Sequence, residues 1–380
     1  MERVYLDHAA TSPMHPDVIE EMTTVMKETF GNPSSIHSFG RASRHLVDHA
    51  RTIIAESIHA EYNEIIFTSG GTEADNLAII GTAEANMEKG KHIITAQTEH
   101  HAVLHACEFL ESKGFEVTYL PVDHSGRIRL KDLQKELRDD TILVTIMFGN
   151  NEVGTLQPIM EIGEIVKDHQ AYFHTDAVQA FGLTKIDVKK LGVDLLSVSG
   201  HKINGPKGIG FLYAHKRVDL KPGLYGGEQE RKRRAGTENV PAIVGLGKAV
   251  ELARNSIEKK HALLFGLKGL LKGTLADEGV EFKENGSLEH GLPHVLNLSF
   301  PGTDVESMLM NLDMSGIAVS SGSACTAGSI EPSHVLVAMY GKQSEKSRNS
   351  IRFSFGLGNT EEQIEWAAHE VASIVKRLTT

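Results

Sequence analysis

Between residues 64 and 214, short runs rich in β-branched and aromatic residues alternate with stretches whose apolar positions recur at helical spacing. Segments 64–67, 92–96, 116–120, 141–148, 172–174, 195–198 and 208–213 read as strands, and 74–89, 102–113 and 158–169 as amphipathic helices between them. Such alternation predicts a largely parallel sheet covered on both faces. Upstream, 16–30 and 38–59 read as two helices; downstream, 240–275 is a long helical pattern with one weak break near His261. The last hundred residues change rhythm, with strands expected at 295–300, 317–319 and 351–355 and helices at 304–314 and after Thr360. In that final helix Ile364, Ala367, Ala368, Val371, Ile374, Val375 and Leu378 share a face, and Thr360 with Gln363 forms a capping box. The pattern predicts a large α/β domain followed by a smaller α+β one.

Composition narrows the function classes. A chain of 380 residues with 40% hydrophobic positions has room for two cores. Its 39 Lys and Arg against 50 Asp and Glu give a net charge of −11, which excludes a strongly basic nucleic-acid face over the whole chain. Two cysteines, Cys107 and Cys325, build no disulfide framework and point to a reducing compartment. The start has no secretory pattern and no apolar run reaches membrane-spanning length, so a soluble cytoplasmic protein is expected.

Candidate chemistry gathers at strand ends. Thr68-Ser69-Gly70-Gly71-Thr72-Glu73 joins a strand to a helix, where free N–H groups, a hydroxyl and the positive helix end make a phosphate cradle. It matches neither dinucleotide nor ATP fingerprints, and a Gly-Gly turn can also be purely structural. Lys202 follows another strand within Ser199-Gly200-His201-Lys202, boxed in by small residues; desolvation there would free its amine as a nucleophile, whereas a surface turn would leave it inert. Asp176 ends the strand before that one, at the ligand-facing edge of an open sheet. Cradle, aspartate and lysine in this order suit pyridoxal 5'-phosphate: a seat for its phosphate, a partner for its ring nitrogen, and an amine for its aldehyde.

His100 lies past a strand at the same edge, where an imidazole can cover a flat ring and move protons. Its neighbours His101 and His105 share the four-residue spacing of zinc ligands, as do His45 and His49. Among 20 histidines such pairs arise by chance, and no metal site is expected. Cys325 sits among Ser, Gly and Ala, a setting for an exposed nucleophile or sulfur carrier, or for an incidental loop cysteine, while Cys107 falls at core spacing. Arg352 alternates with apolar neighbours on a strand, suiting either a substrate carboxylate or a structural ion pair. The basic run 231–234 follows Glu228 and Glu230 and reads as a solvated loop or a contact to an acidic group.

Across nearly its whole length the chain resembles the NifS/IscS-type cysteine desulfurases of the class V aminotransferase group. The resemblance rests on Tyr5-Leu6-Asp7-His8-Ala9-Ala10, Gly31-Asn32-Pro33-Ser34-Ser35, the cradle, Asn150-Asn151-Glu152-Val153-Gly154-Thr155, the block from 199 to 208, Arg234-Ala235-Gly236-Thr237 and Ser320-Ser321-Gly322-Ser323-Ala324-Cys325-Thr326. It implies a fold type I enzyme whose large, mostly parallel seven-stranded sheet domain covers 15–255. Residues 1–14 and 256–380 would form the small α+β domain carrying a mobile cysteine loop. It implies a homodimer that takes sulfur from L-cysteine, leaving L-alanine. Lys202 would be the Schiff-base lysine, His100 the ring-stacking acid/base, Asp176 the partner of the ring nitrogen and Gln179 a contact to the phenolic oxygen. Gly71, Thr72, Ser199 and His201 would hold the phosphate, with Thr237 supplied by the other subunit. Asn151 and Arg352 would hold the substrate carboxylate, and Cys325 would carry the sulfur as a persulfide. The cysteine block is that of the long-loop subgroup and argues against a selenocysteine preference. Gly71 in place of the alanine of many members is expected to be harmless. The chain's end right after the last helix points away from an iron–sulfur scaffold as main acceptor and towards a tRNA 2-thiouridine synthase.

Overall fold

A computed structural model describes residues 3–322 and 332–380. Its strands in chain order are β1 (Val4–Tyr5), β2 (Ile65–Thr68), β3 (His92–Ala96), β4 (Glu116–Leu120), β5 (Thr141–Thr145), β6 (Tyr172–Asp176), β7 (Leu195–Ser199), β8 (Gly210–Ala214), β9 (Lys283–Asn285), β10 (Val295–Ser299), β11 (Ile317–Ala318) and β12 (Ser350–Ser354). The seven expected strands of the first part form one sheet in the order β2-β8-β7-β6-β5-β3-β4. Neighbours are parallel except β8, which runs antiparallel to both β2 and β7. Every residue of β3, β5, β6 and β7 is buried, which is why those strands read as continuous apolar runs. From β3 the chain steps to β4 on one side, whereas β5, β6 and β7 follow on the other. That reversal opens a crevice beyond the strands' carboxyl ends.

The C-terminal part has its own three-stranded antiparallel sheet, β12-β10-β9, and β1 pairs in parallel with β11. A second core gathers there, with Leu6, Leu298, Phe300, Phe353, Ile364 and Val371 all fully buried. The capping box at Thr360 forms reciprocally, with Gln363 N donating to Thr360 Oγ1 and Thr360 N to Gln363 Oε1.

Helix Val240–Asp277 runs unbroken for 38 residues, so the break expected near His261 is absent. Its first half buries Val240, Ile243, Leu246 and Val250 in the large-sheet core, and its second half buries Leu264, Leu267, Leu271 and Leu275 in the other. Between them the helix crosses solvent-facing ground, and the apolar period lapses without the backbone breaking. Helix His334–Tyr340, not foreseen, starts where Ser333 Oγ caps Leu336 N at 3.1 Å. Among the described residues no helix is long and apolar enough to cross a membrane.

Candidate active site

The cradle forms where β2 turns through Ser69 and Gly70 into helix Gly71–Asn76, which continues by a π-helical turn, Leu77–Gly81, into Thr82–Asn86. Close backbone approach explains the glycines. A Cβ on Gly210 would lie 2.9 Å from Gly70 Cα and 2.4 Å from Val198 O, so β8 can pass behind the turn only as glycine. A Cβ on Gly71 would lie 2.9 Å from Val178 Cγ2. Alanine at 71 is therefore not free of consequence: the stiff Val178 would have to give way. Ser199, buried at the end of β7, turns its Oγ towards Gly70. Glu73 closes the outer side, accepting from Ser69 N at 2.7 Å and Arg234 Nε at 2.8 Å. Burial pushes its carboxyl up, but the Arg234 and Ser69 donors pull harder and hold it below the ordinary range. The first N–H groups of a helix lack intrahelical acceptors, so this turn can take a phosphate.

One strand over, Asp176 ends β6 almost fully buried, with Oδ1 accepting from Val178 N at 2.8 Å. Burial pushes its carboxyl up to about 6, against the pull of the Val178 N–H and Lys202. A buried carboxylate needs a cationic partner, and a protonated ring nitrogen is one. Lys202 closes the short 3₁₀ turn Gly200–Lys202 after β7. Its Nζ donates to the carbonyls of Ala9 at 2.5 Å and Ala10 at 2.7 Å. The N-terminal segment thus clamps the amine. Thr11 Oγ1 lies 3.0 Å from His201 Nδ1, and Ser12 donates through N and Oγ to His201 O. Burial first, then Lys202 and Lys207, hold the His201 imidazole down at about 4, so it is neutral near pH 7.

His100 caps helix His101–Ser112, its Nδ1 accepting from Ala102 N at 3.1 Å. Burial, reinforced by Lys202 and the neighbouring imidazoles, pulls it down to about 4. A neutral ring whose Nδ1 accepts carries its hydrogen on Nε2. His100 therefore presents an N–H beyond the carboxyl end of β3, fit to lie over a ring and donate. Its neighbours His105 and His334 pack against His101 with their rings tilted by 31° and 46°, yet among the described residues no group of three or more His, Cys, Asp or Glu is arranged to hold a metal ion.

Arg352, in β12 and buried, donates Nη2 to Asp7 Oδ1 at 2.8 Å and Nη1 to Asn151 O at 3.0 Å. The ion pair foreseen as its structural alternative is thus present, and Asn151 meets the arginine through its backbone. Cys325 lies outside the described residues. One buried carboxylate lies close to the chain on both sides of it: Ser333 Oγ donates to Glu152 Oε2, and the Gly322 backbone passes so near that a Cβ there would sit 2.5 Å from the same oxygen. Cys107 is fully buried, with burial driving its thiol far up, in keeping with an inert core cysteine. Thr237 is exposed, and Arg234, three residues earlier, ties its loop to Glu73. That loop contains Glu230, Arg231 and Lys232 in left-handed backbone conformations. Its Glu230 takes both Nη atoms of Arg51 and the N–H of Phe67, so the basic run is partly a fastened segment and not merely solvated.

Gln179, expected from the resemblance, donates Nε2 to Ala9 O at 2.9 Å, and its Oε1 lies 3.0 Å from Nε2 of His294, a buried residue just before β10 that carried no signal in the sequence. Behind Asp176, Asp75 and Glu99 are buried carboxyls pushed well up by burial and then by Asp176 and, for Asp75, Glu99. His174 is pressed down to about 3 by burial and bridges Thr145 Oγ1 and Ser197 Oγ. Contacts distant in sequence bring Asp75, Glu99 and His294 to the site; the block Tyr5 to Ala10, whose Ala9 and Ala10 carbonyls clamp Lys202, carried the resemblance but no sign of that contact.

The cradle, buried acid and clamped lysine fit pyridoxal phosphate, and known proteins agree. The aminotransferase class-V family model matches residues 4–366. The chain is 65% identical to the IscS 1 protein of Bacillus subtilis (strain 168), over 100% of both chains. It is 53% identical to a cysteine desulfurase IscS of Methanosarcina thermophila, covering 99% of this chain and 92% of the relative. A solved NifS-like protein superposes with a TM-score of 0.92 at 36% identity, covering 99% of this chain and 100% of that one. The chain therefore belongs to the class-V aminotransferase family, among its NifS/IscS-type cysteine desulfurases, and is a pyridoxal-phosphate-dependent enzyme of fold type I.

Proposed function

We propose that this enzyme converts L-cysteine to L-alanine, moving the sulfur onto Cys325 as a persulfide and then to an acceptor for tRNA thiolation or iron–sulfur cluster assembly. The observation that carries the reading is the meeting of Lys202, Asp176 and the Gly70–Gly71 turn at one sheet edge, opposite Arg352 and the stems flanking Cys325. Bound pyridoxal phosphate would supply an electron sink for the substrate's α-carbon. Gly71, Thr72, Ser199 and His201 hold the phosphate in this reading, with Thr237 reaching across from the second subunit of a cytoplasmic homodimer. Asp176 would pair with the ring nitrogen and keep it protonated, Gln179 would donate to the phenolic oxygen, and His100 would cover the ring face.

Arg352 and Asn151 hold the substrate carboxylate, Arg352 keeping its fork in place through Asp7. Lys202 would hold the cofactor's aldehyde, and its amine is the group placed to move the proton at the α-carbon. The Cys325 thiolate attacks the substrate sulfur, forming an S–S bond as the substrate's C–S bond breaks. Cysteine and the enzyme thiol thus become alanine and a persulfide with no external oxidant. Purified protein with pyridoxal phosphate, L-cysteine and a thiol reductant is expected to yield alanine and sulfide in equal amounts. Cys325→Ala is expected to abolish the sulfide; unchanged sulfide from that variant would overturn the persulfide step. Labelled sulfur reaching neither a thiouridine synthase nor a cluster scaffold would overturn the acceptor assignment.

A further inference from the structure

We infer that His294 is a positioning residue that locks the Gln179 side-chain amide, so that one amide hydrogen is left to aim at the cofactor's phenolic oxygen. This rests on the cofactor-facing role proposed above for Gln179.

The argument starts from what a carbonyl can do. Ala9 O only accepts, and the Gln179 amide lies 2.9 Å from it, so the nitrogen of that amide faces Ala9. The amide oxygen is then the atom 3.0 Å from His294 Nε2, and that nitrogen must carry the imidazole's hydrogen. His294 is thereby fixed as the Nε2–H tautomer, and its Nδ1, buried, has no hydrogen-bond partner among the described residues. Both side chains are buried, so water does not substitute freely for either bond.

One contact lets an amide pivot; two on opposite sides fix its plane. The first hydrogen of Gln179 Nε2 is spent on Ala9 O, the same oxygen that receives Lys202 Nζ, and the second remains. The backbone that carries the imidazole is itself anchored: the His294 carbonyl accepts from Phe355 N at 2.9 Å, and β10 begins at the next residue. A residue at the threshold of the C-terminal sheet thus orients a group on the turn after β6, some 115 positions away in sequence. The charged and titratable groups acting on His294 are Lys260, His8, Lys202 and Arg352. With burial they all disfavour a second proton, so the tautomer persists through the neutral range.

A donor at the phenolic oxygen stabilises that oxygen most when the neighbouring nitrogen has lost its proton. Loosening Gln179 should therefore raise the pH at which the bound cofactor's visible band titrates. The test is that titration on the cofactor-loaded protein, with His294→Leu, His294→Gln and each of them combined with Gln179→Leu. His294→Leu is expected to move the midpoint up by about 0.5–1 unit, a three- to tenfold change in the proton equilibrium. His294→Gln, which can still donate, is expected to restore the midpoint, and His294→Leu should add nothing once Gln179 is Leu. An unmoved midpoint in His294→Leu, or a shift that persists in full without Gln179, would overturn the inference. Nitrogen NMR of labelled histidine in the unloaded protein provides a readout independent of the cofactor. Nε2–H is expected, and an Nδ1–H tautomer would overturn the proposed lock. A protein that takes up no pyridoxal phosphate would defeat the reading of the site instead, while the NMR result would still decide whether the His294–Gln179 bond exists.

Discussion

On the sheet side of the site, each group sits within a few residues of a strand's carboxyl end: Gly70 and Gly71 after β2, His100 after β3, Asp176 at the end of β6, Ser199 and Lys202 at and after β7. The opposite side is assembled from far apart. Arg352 meets Asp7 across 345 positions, Lys202 meets Ala9 across 193, and Gln179 meets His294 across 115. The first side is local chemistry displayed by a rigid frame, where a strand and its turn suffice to place a side chain. The second exists only after two separately packed cores have come together, so its precision depends on packing remote from the chemistry.

Changes that separate these two dependences sharpen the comparison. The largest effect should fall on the sheet side: Lys202→Ala is expected to cut sulfide production by roughly 10³-fold or more while leaving the urea midpoint nearly in place. Next comes the packing on which the far side leans. Leu271 is fully buried in the second core, and Leu271→Ala should cost about 2–5 kcal/mol in urea unfolding. If that variant kept full stability, the second core would not be what holds the far side.

Asp176 gives a pH-resolved contrast. Its pKa is raised in the folded chain to about 6, so the stabilisation belongs to the protonated form. It is complete below the unfolded value and is lost as pH rises through about 6. In the unloaded protein, Asp176→Asn should therefore be more stable than wild type at pH 8, by on the order of 2–3 kcal/mol, with the gap closing towards pH 4. The same variant should bind pyridoxal phosphate more weakly, having lost the ring nitrogen's partner. Equal stability of the two proteins across that range would show that the buried carboxyl carries no such strain. The smallest effect should come from Asp7→Asn, which loosens Arg352 without removing it. KM for cysteine should rise roughly fivefold, near 1 kcal/mol, with kcat little changed.

The same division explains what the sequence disclosed. Six strands of the large sheet were legible because burial on both faces leaves β-branched and apolar runs; the edge strand β4, only partly buried, was legible from its Val, Thr and Tyr. Lys202, Asp176 and the cradle were legible because they adjoin such strands. His294 gave no signal, since its partner lies in another part of the chain and nothing nearby marks the residue as polar chemistry. Arg352 was legible as an inward arginine, but its tie to Asp7 was not. The helix through His261 was misjudged for a related reason. Its period lapses where it passes between cores, and a pattern read locally registers that lapse as an end. What a Cβ at Gly71 would meet was not legible at all, because Val178 approaches from the turn after β6.

The most direct test of the central claim is to treat the protein loaded with pyridoxal phosphate with borohydride and find the modified residue by peptide mass spectrometry. The cofactor's mass is expected on Lys202, and on no other lysine in stoichiometric amount. A stable label on a different lysine, or none on a protein that had turned yellow, would contradict the assignment of this sheet edge as the active site.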